Sequence, residues 1–215
     1  MDIFTRIFGS RRRFEALIVI AAFYTVLSFA YSFVGFLHYQ PGSHYHEYAL
    51  GKLTLEISGH FLFGVIAALP LLDVGLALLT GSLAVLIDID HVLSALNYDV
   101  SGRPDHSILY VAVSALFIFY AGKRSRLSEV TTTKLAFVAP IAVLAHFSFD
   151  VFASSGTIFQ ALIPFSFQRF YFPDFTWAIL EAVALLVSCL ALYASSKRRL
   201  TVHNDDETIA LSRGP

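Results

Sequence analysis

Between residues 15 and 195 the sequence passes through six apolar stretches. They lie at roughly 15–37, 58–72, 74–93, 107–122, 135–153 and 176–195, joined by short polar connections. About 20 apolar residues cross a bilayer core as a helix. Inside that core only helices and closed barrels satisfy their backbone groups. The pattern therefore predicts an all-α integral membrane protein of about six transmembrane helices. Composition agrees, with 56% of the 215 residues hydrophobic and only 14% charged. That leaves too little polar surface for a soluble domain of this size. Pro70, Asp73 and Gly75 mark a tight hairpin between the second and third stretches. The first stretch is too long for a signal-peptide core and reads as a retained span. The aromatic-rich segment 158–177 suits the headgroup zone. Residues 1–199 read as one transmembrane domain, and the polar tail 200–215 reads as disordered.

Six spans put both termini on one side. That side carries Arg6, Arg11, Arg12, Arg13, Lys123, Arg124, Arg126, Lys134, Lys197, Arg198, Arg199 and Arg213. The other side carries Lys52, Arg103 and Arg169. Basic residues concentrate in cytoplasmic loops, so both termini are expected in the cytoplasm of a multi-pass cell-membrane protein. The single cysteine, Cys189, forms no intramolecular disulfide, and the net charge of −1 offers nothing to a nucleic acid.

The stretch "VLIDIDHVL", residues 85–93, breaks the apolar pattern with Asp88, Asp90 and His91. On the six-span scheme these close the third span at its outer end. His60 opens the second span and His106 the fourth, both at the outer end. His146 and Asp150 lie in the last two turns of the fifth, again at the outer end. One histidine at a span end is usually an interfacial residue. Seven metal-capable side chains from four spans at one depth are not explained that way. Carboxylates are costly in hydrocarbon, and helix C-termini disfavour them further. With Lys52, Arg103 and Arg169 the only organic cations on that side, a divalent ion completed by neutral imidazoles is the expected compensation.

Spacing supports this reading. His146 and Asp150 are i,i+4, Asp88 and His91 are i,i+3, and Glu56 and His60 are i,i+4, each pair on one helix face. Asp90 faces elsewhere unless the helix frays there. Gly59, Gly64 and Gly81 allow helices to approach closely around the cluster. Glu181 reads either as lining the same cavity or as bonded to a neighbouring helix. The "HYHE" segment, His44 to Glu47, reads as a solvated outer loop.

The motif order "SGH", "IDIDH", "GRPDHS", "HFSFD", "SG" and "PFSF" resembles the membrane-bound, metal-dependent hydrolases of the YdjM-like, LexA-regulated family. The resemblance covers about residues 58–167 and rests on His60, Asp88, Asp90, His91, His106, Ser107, His146, Asp150, Gly156 and Pro164. Ile87 stands where the family usually has proline, and the leading histidine of the third motif is missing, with Gly102 beside Arg103. Lipid phosphatases that work through a phosphohistidine share "SGH" and His-x-x-x-Asp. They require an Arg-Pro motif before the SGH, whereas Arg103-Pro104 follows it here, and Ala139-Pro140 stands where they carry Ser-Arg.

The resemblance implies a metal-dependent hydrolase. Together with the cluster it points to one or two divalent ions, zinc first and manganese second, at the extracytoplasmic face. The expected ligands are His60, Asp88, Asp90, His91, His106, His146 and Asp150, with Glu56 or Asp105 as general base. A site at interface depth suggests a lipid or other amphipathic substrate. The alternative is a non-enzymatic metal-binding membrane protein, a transporter or a scaffold. Transporters usually hold their site near the midplane between repeats, and neither feature is visible here.

Overall fold

The computed structural model describes residues 3–34, 50–89, 91 and 103–212. Asp90, Gly102 and the His44–Glu47 segment lie outside these residues.

A short amphipathic helix, α1 (Ile3–Phe8), leads into α2 (Arg11–Ser32). Ser10 caps α2 by accepting the Arg13 amide. The next two helices form a hairpin, α3 (Leu50–Ala68) and α4 (Val74–Leu86). A single turn over Leu69–Leu71 and a left-handed Leu72 close it. Asp73 caps α4 through the Leu76 amide, and its two oxygens also accept from Arg13 Nη2 at 2.5 Å each. Next to it Lys134 Nζ donates to the Leu71 carbonyl at 2.5 Å. These bonds tie the start of α2, the α3–α4 turn and the start of α6 (Glu129–Ser154) at one end of the bundle. Helix α5 (Ile108–Arg124) packs beside α2 and α6, and α7 runs Thr176–Ser212.

Helix α6 is central and has α3, α4, α5 and α7 packed around it. The α3–α4 contact is close because both helices present glycine. A Cβ on Gly81 would sit 2.7 Å from the Phe61 carbonyl oxygen. A Cβ on Gly59 would lie 2.0 Å from the Phe149 ring, so that glycine lets the ring of α6 press against the α3 backbone.

Among the described residues, four helices are long and apolar enough to cross a membrane: Arg11–Ser32, Thr54–Leu71, Glu129–Ser154 and Thr176–Arg198. Six were expected. The difference lies in α4 and α5, with 13 and 17 residues. At 1.5 Å per residue these reach about 20 and 25 Å, short of the ~30 Å hydrocarbon core. The third apolar stretch reads on to residue 93, but the backbone tightens into a 3-10 turn over Ile87–Ile89.

The aromatic segment, read as suited to the headgroup zone, holds two strands: β1 (Gly156–Phe159) and β2 (Phe170–Pro173) form an antiparallel hairpin, pairing Gly156 with Pro173 and Phe159 with Phe170. The protein is therefore a helical membrane protein carrying one small hairpin. Helix α7 runs past Arg199 as far as Ser212.

Candidate metal centre

Three histidines and two aspartates converge at the end of the bundle opposite the Arg13–Asp73 pair. His60 comes from α3, Asp88 from the 3-10 turn after α4, His106 from the turn before α5, and His146 and Asp150 from α6. Their donor atoms form two overlapping groups, His60–His146–Asp150 and Asp88–His106–His146, each within 4.8 Å. His60 Nε2 lies 3.3 Å from Asp88 Oδ2 and 3.4 Å from Asp150 Oδ1. His146 Nε2 lies 3.5 Å from Asp88 Oδ1 and 3.4 Å from Asp150 Oδ2. The rings of His60 and His146 stack in parallel at 3.9 Å. The imidazoles are buried, whereas Asp88 and Asp150 keep 17% and 14% of their side chains exposed. The site thus has a histidine floor and a carboxylate rim reachable from outside.

The tautomers follow from the partners. His146 Nδ1 lies 2.7 Å from the Ala84 carbonyl, which can only accept, so Nδ1 carries the proton. His106 Nδ1 lies 3.0 Å from the Asp105 carboxylate, so it donates as well. In the neutral rings both Nε2 atoms are then lone pairs, and they face each other at 2.8 Å. Two acceptors at that distance repel unless a cation lies between them. Burial and the Arg103 charge push the His106 imidazole down. Its hydrogen bond to Asp105 and the nearby Asp150 carboxylate outweigh them and leave it raised to about 9. A proton or a metal ion can each supply the missing positive charge.

Asp105, read from sequence as a general base, is fully buried. One oxygen holds His106 and the other accepts from Ser28 Oγ at 3.1 Å, which also reaches the Ile87 carbonyl at 3.2 Å. It is a positioning carboxylate for His106. Outer partners of this kind typically change metal affinity 10–100-fold. Asp105→Ala should therefore weaken zinc binding by about that factor in a chelator-competition titration. Unchanged affinity would show that His106 is not a ligand.

The other expected residues are distributed as follows. His91, half-buried, has Nε2 3.3 Å from Asp88 Oδ1 but does not join either converged group. Glu56 is half-buried one turn before His60 and also stays outside those groups. Glu181 on α7 has both carboxylate oxygens buried without a hydrogen-bond partner, beside Ser148, whose hydroxyl is given to the Trp177 carbonyl.

Sequence reasoning placed no Lys or Arg among the aspartates, and here it is corrected. Arg103 joins Asp88 through Nη2 and Asp150 through Nη1, the latter at 3.1 Å. The signal was present in the scarcity of basic residues on that side, but a bridge across 15 and 47 residues is not a local pattern. Ser28, in a span with no diagnostic motif, was missed for the same reason. The β1–β2 hairpin closes the wall beside His106. Phe159 and Phe147 stack at 4.3 Å, and each ring lies nearly parallel to the His106 ring.

The donor set fits a divalent ion. His60, His106, His146, Asp88 and Asp150 would hold it, and mixed imidazole and carboxylate ligands suit zinc or manganese. Fold and site together define a helical membrane protein with buried His/Asp groups that can bind a metal ion. Residues 55–209 match the YdjM inner membrane protein family, more than half of the chain, and the protein belongs to that family. It has no match among the curated proteins and none among the solved structures.

Proposed function

We propose that the protein is a membrane-bound, metal-dependent hydrolase acting on a lipid or other amphipathic ester. In this reading α4 and α5 complete six spans, the termini are cytoplasmic and the site faces the extracytoplasmic side. The observation that carries it is the pair of Nε2 lone pairs at 2.8 Å, each fixed by a donor bond on the far side of its ring. That arrangement is what a metal-binding imidazole pair requires.

When bound, a divalent ion there supplies Lewis acidity and a water of lowered pKa. The chain's own residues do the rest. Asp105 and the Ala84 carbonyl keep His106 and His146 in one tautomer and orientation. Phe147 and Phe159 exclude water from the back of His106. Glu56, on the same face as His60, is the candidate to accept a proton from the attacking water.

An open, largely apolar groove of about 410 Å³ runs between α3 and α4, lined by Ile57, Ser58, Phe61, Ser82, Val85 and Leu86. Ile57, Ser58 and Phe61 flank His60 on α3, and Ser82, Val85 and Leu86 lie on α4 ahead of Asp88. A lateral apolar opening between α3 and α4 favours an enzyme that takes substrate from the bilayer over a closed scaffold. The test is hydrolysis of phosphoester and carboxylester lipids by the full chain with zinc or manganese in detergent. His146→Ala should lose turnover. Metal flux in proteoliposomes without any turnover would replace this reading with transport.

A further inference from the structure

The Arg103 fork is placed where it opposes a metal ion. Arg103 adopts a left-handed backbone, φ 43° and ψ 66°, immediately before Pro104. A long side chain rarely takes that conformation without other contacts that impose it. Here the conformation opens the turn that carries Asp105 and His106, and it throws the guanidinium back over the site. Nη2 meets Asp88 Oδ1 and lies 3.4 Å from His91 Nε2, and Nη1 meets Asp150 Oδ2 at 3.1 Å. Asp88 and Asp150 are also the two carboxylates that face His60, His106 and His146.

An ion held by those carboxylates takes the lone pairs that Arg103 uses. It also places a second positive charge within a few ångströms of the guanidinium. Two like charges at that range repel in water and several times more strongly at a protein surface. The two cations therefore compete for one pair of anions. Once it leaves those carboxylates, the guanidinium can turn to an incoming anion. It retains 18% side-chain exposure and stands at the open rim, so an incoming ligand can reach it. Its planar fork matches a tetrahedral oxyanion in bidentate fashion.

We propose that Arg103 is a displaceable counter-ion, holding Asp88 and Asp150 until a divalent cation claims them and then receiving the phosphoryl oxygens of the substrate. The counter-ion half stands on geometry alone. The phosphoryl half rests on the hydrolase reading and narrows its substrate class to phosphoesters.

The experiment reads binding, not turnover. Full-length protein in neutral detergent is titrated with Zn²⁺ against a chelator, for wild type, Arg103→Ala, Arg103→Gln and Arg103→Lys. Removing the charge should tighten zinc binding roughly tenfold or more, while Arg103→Lys stays near wild type. Zinc-loaded wild type should then gain thermal stability from orthophosphate, and the Ala and Gln variants should not. A second arm uses nanodiscs of phosphatidylcholine with and without phosphatidic acid. Protection by orthophosphate marks a free phosphate ligand, and protection by phosphatidic acid alone marks a lipid headgroup. Weaker or unchanged zinc binding in both charge-removed variants overturns the counter-ion. Protection that survives them overturns the oxyanion role. If Arg103→Ala does not fold, Arg103→Gln carries both readings. Failure of every ester to turn over would remove the hydrolase reading and leave these binding results standing.

Discussion

Purified with zinc or manganese present, the wild-type protein should retain a divalent ion by elemental analysis, and His146→Ala should lose it. His146 belongs to both converged donor groups, so no other single residue removes as much of the site. Its Nε2 faces His106 Nε2 at 2.8 Å and lies within 3.5 Å of a carboxylate oxygen from each aspartate. Truncation removes a ligand and also the buried His146 bond to the Ala84 carbonyl. The variant therefore needs a fold control, and Asp150→Asn supplies one. It keeps the side-chain volume and hydrogen-bonding capacity at the exposed rim, and it should lower metal content while leaving α6 intact. Stoichiometric metal in both variants would show that the ion, if present, is held elsewhere.

How far the site was legible depends on which contacts are local. His146 with Asp150 and Asp88 with His91 follow from helix spacing, and the common depth of His60, His106 and His146 follows from counting spans. Arg103, Asp105 and Ser28 come together through the turn over Pro104–His106, whose path no periodicity specifies. In sequence Asp105 reads as a candidate general base. Its true surroundings are the buried ends of α2 and α4. The same limit applies to the fold. Apolar runs mark helices well, but they do not show where α4 tightens into a 3-10 turn. That turn is what aims Asp88 at the histidines, since its backbone leaves helical geometry at φ −78° and ψ 20°. The hairpin over 156–173 was hidden because Phe and Tyr suit a membrane interface and a strand equally. Phe159 of the hairpin stacks against Phe147 and against His106, the latter a contact across a long stretch of chain.

Zinc affinity should rise about tenfold for each unit of pH between about 6.5 and 9. His106 is raised from its ordinary 6.5 to about 9, despite burial and the Arg103 charge, by its bond to Asp105 and the nearby Asp150. Below 9 it carries a proton at the nitrogen that a metal needs. Each ion bound must then release that proton, so lowering the pH opposes binding across the whole window. Stability of the chelated protein should move the other way. A folded-state pKa above the unfolded value means the folded protein binds the proton more tightly, and the resulting stabilisation is complete below about 6.5. It is lost progressively as pH rises to about 9, because deprotonation leaves the His106 and His146 lone pairs facing at 2.8 Å. Zinc-loaded protein has no such proton to lose, so its melting midpoint should hold over the same range, and the gap between loaded and chelated protein should widen with pH. Proton release during zinc binding, read in weakly buffered solution at neutral pH, tests the same assignment independently. No proton release, together with a chelated midpoint flat from 6.5 to 9, would mean that the short contact between the two histidines does not hold a cation.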